Sequence, residues 1–417
     1  MKKIVKVLFG SLVTLVAVLV AGVSFTIGWR PFVGPRTRPL TTRRYTPTPE
    51  RLARGTYLVE HVTPCMECHS PHRWSEHDAP VESSMLGAGQ EMPLKGLPGR
   101  VVAPNLSPDP ETGAGNWTDD QIARAIREGI GHDGRALFPM MPYQRFRSMS
   151  DEDVASIVVY LRSLAPVRRQ QPATEIVVPV RYLIRSMPEP LRAPVPAPDL
   201  STPAKRGAYL VTIGACGECH TPQDDHGQPI RGLEFAGGFV FEGPWGRVAS
   251  ANLTPDPSGI PYYDVTLFKE VMRTGYVKAR RVNQIMPWHA FGGMTDDDMA
   301  AVFAHLTTLK PVVHHVTNDE GEAFWLAGML QTVKIGSADT GGRYGLIEFL
   351  VPPGLGSPWH VHTDEDEWFY VLEGNLTLYV GDTRVDLTTG GFAFGPTGVP
   401  HTFIGAGPDP TRVLVGL

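Results

Sequence analysis

The sequence predicts a multidomain chain: an N-terminal membrane-crossing helix, two copies of an all-α domain, and a C-terminal all-β barrel domain. Three observations support this class. An uncharged stretch of about 23 residues lies near the N-terminus, a segment of about 110 residues occurs twice, and short β-type runs broken by glycine and proline fill the C-terminal part. We place the boundaries at residues 1–29, 30–48 (linker), 49–167, 168–200 (linker), 201–313 and 320–417.

The first segment predicts a helix that crosses a membrane. Three lysines precede the uncharged stretch from Val7 to Trp29, which is long enough to span a bilayer core. The lysines would stay on the cytoplasmic side. A cleaved signal peptide usually has a shorter apolar region and a small-x-small cleavage site, and no clean site of that kind is evident. We therefore expect an uncleaved anchor in the inner membrane with the rest of the chain in the periplasm. The alternative is a soluble periplasmic protein after signal cleavage.

Composition narrows the function classes. The net charge is -5, with 42% apolar and 19% charged residues and no long basic run. Nucleic-acid binding would require a basic patch, so we expect no nucleic-acid partner. The 44 glycines and 39 prolines predict many loops and short elements.

Each copy of the repeated segment contains the pattern C-x-x-C-H. Its residues are Cys65, Cys68 and His69 in the first copy and Cys216, Cys219 and His220 in the second. In this pattern the cysteines bond covalently to a haem and the histidine reaches the iron. A redox dithiol, half of a zinc site or a disulfide would use similar cysteines. The similarity continues far beyond them, however, because "GRVVAPNLSPDPETG" matches "GRVASANLTPDPSGI". We therefore predict two covalently bound haem c groups.

Each iron then needs a second axial ligand, for which methionine is the usual partner of histidine. Each copy offers two candidates, Met141 and Met149 in the first and Met286 and Met294 in the second. Met149 and Met294 come directly before predicted helix caps, where a side chain usually packs on its own helix. Met141 and Met286 are each followed by proline, which favours an extended loop. We predict Met141 and Met286 as ligands, with Met140 as the alternative in the first copy.

The helices expected in the two copies follow the same order. "ERLARGTYLVEHV" and "PAKRGAYLVTI" predict helices before the C-x-x-C-H motifs. Middle and C-terminal helices are expected to begin at side-chain caps. The predicted caps are Thr118, Ser150, Asp264 and Thr295. The middle helices are expected to end at Gly129 and Gly275.

The two copies resemble class I cytochrome c domains, in particular the multihaem cytochrome c subunits of periplasmic alcohol, gluconate and molybdenum-containing dehydrogenases. "VVAPNLSPDP", "WTDDQIARAIREG" and "MSDEDVASIVVYLRSL" carry this resemblance, which covers residues 49–313. It implies an exported dehydrogenase as electron donor and a terminal oxidase or another cytochrome as acceptor. Family members often carry three haems, whereas two motifs occur here. In the second copy "GYVKARRVNQIMPW" replaces the "DGRALFPMMPY" type of loop.

The linkers are rich in proline. "PEPLRAPVPAP" predicts an extended, semi-stiff segment. The preceding "VVPVRYLIR" is apolar enough to pack on a domain surface. The arginines near positions 30 and 43 would lie either in solvent or at the outer membrane face.

The C-terminal β-type region carries a second candidate site. "EWFYVLEG", "NLTLYV" and "TRVLVGL" predict an antiparallel sandwich or barrel. His360 and His362 are two residues apart and would face the same side of a strand. Glu367 and His401 complete a set of three imidazoles and one carboxylate. Such a set can bind a divalent metal such as iron, manganese, nickel, copper or zinc.

The spacing of these residues resembles the two motifs of the cupins, G-x5-H-x-H-x4-E-x6-G and G-x5-P-x-G-x2-H. The framing positions are Gly354, Gly374, Gly390, Pro396 and Gly398. The region is similar to small quercetin-dioxygenase-like cupins, which implies a double-stranded β-helix barrel holding one divalent metal. The chain stops at Leu417, soon after the second motif. We therefore expect a barrel that is either incomplete or completed by a partner.

Two functions are consistent with these features. The first is a dihaem cytochrome that transfers electrons in an exported respiratory chain and carries a metal-binding cupin module. A methionine at each sixth position would keep substrates from the iron and argues against a haem enzyme such as a peroxidase. The alternative is a cupin metalloenzyme of the oxidase or dioxygenase type, acting on a small molecule and coupled electronically to the haems. No catalytic residue is assigned.

Overall fold

The computed structural model describes residues 2–76, 78–224, 227–261, 263–277, 280–316, 322–326 and 328–417. The chain divides into two compact units, Met1–Glu218 and Cys219–Leu417. The division falls inside the second C-x-x-C-H motif. The domain boundaries given above remain predictions, and the last of them, residue 320, lies outside the described residues.

The first unit is mainly helical. Its helices are α1 (Lys2–Phe25), α2 (Arg30–Val33), α3 (Pro49–Tyr57), α4 (Cys65–His69), α5 (Asp119–Glu128), α6 (Tyr143–Phe146), α7 (Asp151–Ser163), α8 (Val180–Leu183) and α9 (Pro203–Ile213). A π-helical turn, Leu58–Val62, continues α3, and 3-10 turns occur at Ser83–Met85 and Ile184–Ser186. Its short strands are β1 (Gln90–Glu91), β2 (Gly99–Arg100), β3 (Val102–Ala103) and β4 (Glu175–Ile176).

Helix α1 matches the predicted apolar segment. Within the described part of the chain, Ile4–Phe25 is the one helix long and apolar enough to cross a membrane, with a mean hydropathy of 2.5. A signal sequence would meet the same criterion, so α1 is either a signal or an anchor.

Caps and a close crossing define the helices of the first copy. The Thr118 hydroxyl accepts from the backbone N–H of Gln121 in a capping box, and α5 ends at Gly129, whose φ is 69°. Ser150 caps α7 in the same way. Helices α3 and α7 pack together at Gly55, where an added Cβ would lie 2.0 Å from the Ser156 carbonyl oxygen. A larger residue at position 55 would therefore separate the two helices.

The second unit begins with the corresponding elements of the second copy. They follow α10 (Cys216–His220) and are α11 (Val265–Thr274), α12 (Trp288–Phe291), α13 (Asp296–Leu306), β5 (Val240–Gly243), β6 (Gly246–Ala249), β7 (Tyr276–Val277) and β8 (Arg280–Arg281). Asp264 caps α11, which ends at Gly275 (φ 72°), and Thr295 caps α13. The divergent loop of this copy includes residues 278–279, which lie outside the described residues.

The C-terminal region consists of strands in two antiparallel sheets. The strands are β9 (Glu322–Leu326), β10 (Met329–Ile335), β11 (Leu346–Val351), β12 (Glu367–Glu373), β13 (Asn375–Val380), β14 (Thr383–Thr388), β15 (Phe392–Gly395), β16 (His401–Gly405) and β17 (Thr411–Gly416). One sheet has the order β15-β12-β17-β11-β10-β9 and the other β14-β13-β16. Both sheets contribute to one apolar core, which includes Phe369, Leu376, Leu378, Phe403 and Val413. The β-rich character predicted for this region is confirmed.

Candidate haem and metal sites

The histidines of the two C-x-x-C-H motifs have the same environment. His69 ends α4 and His220 ends α10, and both side chains are buried. The Nδ1 atom of His69 lies 2.9 Å from the carbonyl oxygen of Pro104, and that of His220 lies 2.7 Å from the carbonyl oxygen of Ala251. A carbonyl oxygen only accepts, so we assign the proton to Nδ1, which leaves the Nε2 lone pair for a metal.

Electrostatics favour the same form of both rings. Burial lowers the pKa of His69 and of His220, although the hydrogen bond to a backbone carbonyl opposes this shift. Neutral imidazole with one orienting hydrogen bond is the form in which histidine binds a metal. The two histidines therefore fit the role of an axial haem ligand.

The cysteines lie on the short helices that end in these histidines. Cys65, Cys68 and Cys216 are half-buried and Cys219 is exposed, and no disulfide joins any of the four. Burial raises the pKa of the Cys65 and Cys216 thiols to about 11 and that of Cys68 to about 12. Each helix is a single turn with its two cysteines three positions apart, the arrangement that two thioether bonds to one porphyrin edge require.

The methionines fall into two classes. Met149 and Met294 are buried, with exposed fractions of 1% and 6%, directly before the caps of α7 and α13. Met141 and Met286 are half-buried in loops. The Met141 carbonyl accepts from the N–H of Tyr143 at 2.8 Å, and the Met286 carbonyl accepts from Trp288 at 2.7 Å. The two loops thus share one local conformation, while the axial role of Met141 and Met286 stays a prediction.

Two asparagines that the sequence alone did not indicate support the histidine partners. Asn105 and Asn252 directly follow the carbonyls of Pro104 and Ala251, and both are almost fully buried. Asn105 Nδ2 donates to the carbonyl oxygen of Val167 at 2.8 Å. Asn252 Nδ2 donates to that of Val312 at 3.0 Å. The matched "APNLSPDP" and "SANLTPDP" segments were the available signal, since a buried asparagine at the same place in both copies indicates a shared structural role.

The third site lies in the β-rich region. One atom from each of His360, His362, Glu367 and His401 falls within a group whose members all lie within 4.8 Å of one another. Glu367 Oε2 is 2.6 Å from His401 Nε2 and 3.6 Å from the Nε2 atoms of His360 and His362. All three imidazoles therefore direct Nε2 towards one carboxylate oxygen.

The opposite ring nitrogens are held by acceptors. His360 Nδ1 lies 2.8 Å from the carbonyl oxygen of Pro358, and His401 Nδ1 lies 2.9 Å from that of Val399. His362 Nδ1 is 3.3 Å from the carboxylate of Glu365. His362 Nε2 is buried without a hydrogen-bond partner. An orphaned lone pair beside a buried carboxylate and two further Nε2 atoms fits a divalent metal.

The structure corrects one detail of this site. His360 and His362 were expected on a strand, but they lie in an irregular segment between β11 and β12. A single bridge from His360 to His401 aligns that segment with β16. Glu367 and His401, the first residues of β12 and β16, are both buried. The two fixed ligands thus come from strands, and the two outer ligands come from a loop that must meet them.

Comparison with known proteins agrees with this geometry. Residues 53–165 match the cytochrome c family model, and residues 347–416 match the model described as a cupin domain. One of the two subunits of a nicotinate dehydrogenase from Pseudomonas putida is 29% identical over 336 residues, which is 76% of this chain and 25% of that protein. The cytochrome c subunit of a quinone-type alcohol dehydrogenase of Gluconobacter oxydans is 33% identical, covering 46% of this chain and 39% of that protein.

The C-terminal region is similar to quercetin 2,3-dioxygenase of Bacillus subtilis, with 28% identity over 25% of this chain and 31% of that protein. The chain therefore carries a c-type cytochrome region like those of dehydrogenase cytochrome subunits. A cupin domain follows, with a metal site of three histidines and one glutamate. Both resemblances drawn from the motifs are confirmed. The chain spans less than two-fifths of each of these three relatives.

Proposed function

We propose that this protein is a dihaem c-type cytochrome that relays electrons on the periplasmic side of the inner membrane, held there by α1. The observation that carries the proposal is the repeated histidine arrangement. In each C-x-x-C-H motif the histidine is buried, and its Nδ1 faces a backbone carbonyl 2.9 Å or 2.7 Å away. Each haem would supply a one-electron redox couple.

The residues of this chain would set the properties of that couple. His69 and His220 would hold the fifth position, and Met141 and Met286 would hold the sixth. A filled sixth position keeps small molecules from the iron, so the site favours electron transfer over catalysis at the haem. The buried cap methionines, Met149 and Met294, would exclude water from the helix packing without contacting iron.

The partners follow from the relatives. Two of them are subunits of dehydrogenases, one of them a cytochrome c subunit. We infer that an exported dehydrogenase donates electrons to this chain and that a terminal oxidase or another cytochrome accepts them.

The proposal is tested on the matured full-length protein. Two covalent haems per chain are expected from the pyridine haemochrome spectrum and the intact mass. Changing Cys65 and Cys68 to alanine should remove one haem, and the matched change of Cys216 and Cys219 should remove the other. A chain that carries fewer than two haems, or haems that extract into acidified solvent, would contradict the assignment.

A second candidate function rests on the cupin site. The unpartnered Nε2 of His362 and the convergence of three imidazoles on Glu367 favour a bound divalent metal, which could support oxidation of a small molecule. Metal analysis of the full chain, compared with the Glu367→Gln and His362→Ala variants, tests the site. Haem reduction by candidate substrates without any dehydrogenase would favour the enzyme over the simple relay.

A further inference from the structure

The chain turns sharply where α1 ends. The N–H of Gly28 donates to the carbonyl oxygen of Val23 at 2.8 Å, and Trp29 Nε1 donates to Ser24 Oγ at 3.0 Å. Helix α2 begins at the next residue, so it lies only a few residues beyond the end of the apolar helix. Its Phe32 and Val33 side chains are 59% and 69% exposed.

The second linker returns to the same place. Helix α2 packs against α8 and the 3-10 turn Ile184–Ser186, although about 150 residues separate them in sequence. Arg185 Nη1 donates to the carbonyl oxygen of Pro31 at 3.1 Å, and Pro31 and Ile184 are buried. The apolar linker segment thus packs on the chain through Ile184, as its composition predicted.

Other apolar side chains of the same segment stay exposed. Val177 is 53% exposed, Val178 65% and Leu183 42%. Together with Phe32 and Val33 they form what we call the juxtamembrane surface. Clustered exposed apolar side chains mark a contact with a protein or a lipid surface. Their position beside the end of a membrane-length helix favours lipid.

The cations and the aromatic ring of this region suit a lipid interface. The Arg181 and Arg185 guanidinium groups lie 4.8 Å and 4.7 Å from the centre of the Tyr182 ring. Arg30 begins α2 on the same side of the turn. Arginine next to tyrosine and aliphatic side chains is the composition of segments that lie at the headgroup level of anionic membranes.

The surface is fixed to the first haem domain on both sides. Strand β4 pairs with β2, and the N–H of Val177 donates to the carbonyl oxygen of Pro98 at 2.9 Å. From the first linker, Arg38 forms ion pairs with Asp120 at 2.7 Å and with Glu128 at 2.8 Å. Both carboxylates lie on α5 and are nearly fully buried. The linkers therefore act as rigid connections instead of flexible tethers.

We propose that the juxtamembrane surface inserts into the outer leaflet of the bilayer, as a second membrane contact that orients the first haem domain. The inference goes beyond electron relay and rests on the proposed membrane location. It assigns a function to the apolar second linker, whose exposed side chains would otherwise face water.

A spin label on Leu183→Cys in the full, haem-loaded chain tests this proposal. The native cysteines would be consumed by haem attachment, so the new thiol alone would react. Leu183 is exposed, so the change should leave the fold intact. Glu111→Cys, at an exposed residue of the first haem domain outside this surface, is the matched control.

Both labelled proteins are reconstituted in vesicles of phosphatidylethanolamine and phosphatidylglycerol. Collision with a water-soluble nickel chelate should be about fivefold lower at position 183 than at position 111, with collision with oxygen higher. Equal chelate accessibility would overturn the proposal, as would protection that develops only when a dehydrogenase is added. The intact mass of the same sample reports whether α1 is retained. Protection at 183 without α1 would support the surface and reject the anchor, whereas exposure with α1 retained would do the reverse.

Discussion

Arg145 forms an ion pair with Glu218, and this pair joins the two copies of the haem domain. Arg145 lies in α6, four residues after Met141, while Glu218 lies between the two cysteines of the second motif. A second contact supports the first, because the Tyr209 hydroxyl of α9 donates to Asp153 Oδ2 at 2.6 Å. The loop predicted to carry one sixth ligand thus touches the segment that attaches the other haem.

We expect this ion pair to affect the second haem more than it affects folding. Both side chains are more than a third exposed, so Arg145→Glu should change the free energy of unfolding by less than about 1 kcal/mol. Removing a positive charge near the second attachment site should lower the potential of that haem. Redox titration of the variant measures this effect. The double exchange, Arg145→Glu with Glu218→Arg, should restore the potential, and a double exchange no closer to the native value than the single variant would contradict this role.

The asparagine behind each histidine partner provides another prediction. Asn252→Ala removes the donor to the Val312 carbonyl and leaves buried polar groups unpaired, which should cost about 1–3 kcal/mol. The carbonyl of Ala251 would also lose its support, so the second haem should titrate at a changed potential. Asn116→Ala, at an exposed asparagine that donates to the carbonyl of Pro110, is the control and should change neither quantity. Equal effects of the two changes would reject the supporting role.

Low pH should weaken the attachment of the first linker. Burial raises the pKa of Asp120, but the hydrogen bonds from Arg38 and from the N–H of Thr41 outweigh that effect, so its pKa lies below the ordinary value. A lowered carboxyl pKa stabilises the fold above the unfolded-state pKa of about 3.9, and this stabilisation is lost as the pH falls through the folded-state value. Arg38→Met should cost about 1–3 kcal/mol at neutral pH and flatten the acid side of the stability curve. Unfolding measured between pH 2 and pH 7, values at which the carboxyl is mostly protonated and fully ionised, checks both effects. An unchanged acid limb in the variant would exclude Asp120 as the cause.

The sequence predicted the chemical residues well because chemistry requires specific side chains at specific spacings. Four helix caps were correct, since a cap depends on one side chain and the first turn. The convergence of His360 and His362 was predicted, but their strand was not, because one bridge to His401 holds a loop in strand-like register. The Arg38 and Arg145 ion pairs join residues about 70 to 90 positions apart, and local patterns contain no information about such pairs.

Metal removal should separate the cupin site from the haems. Glu367→Gln weakens the oxygen donor on which three Nε2 atoms converge, so the bound divalent metal should fall to well below one per chain. The haem spectrum and both potentials should stay unchanged. Glu365→Gln, on the exposed side of the same segment, should retain the metal. If both variants retain it, these four residues do not form the metal site.

Redox titration of the methionine variants tests the central claim most directly. The native protein should show two haem transitions. Met141→Ala should lower the potential of one and Met286→Ala that of the other, because loss of a thioether ligand favours the oxidised iron. Met140→Ala and Met294→Ala serve as controls and should leave both potentials in place. Native potentials in both the Met141 and Met286 variants would contradict the assignment of two histidine–methionine haems.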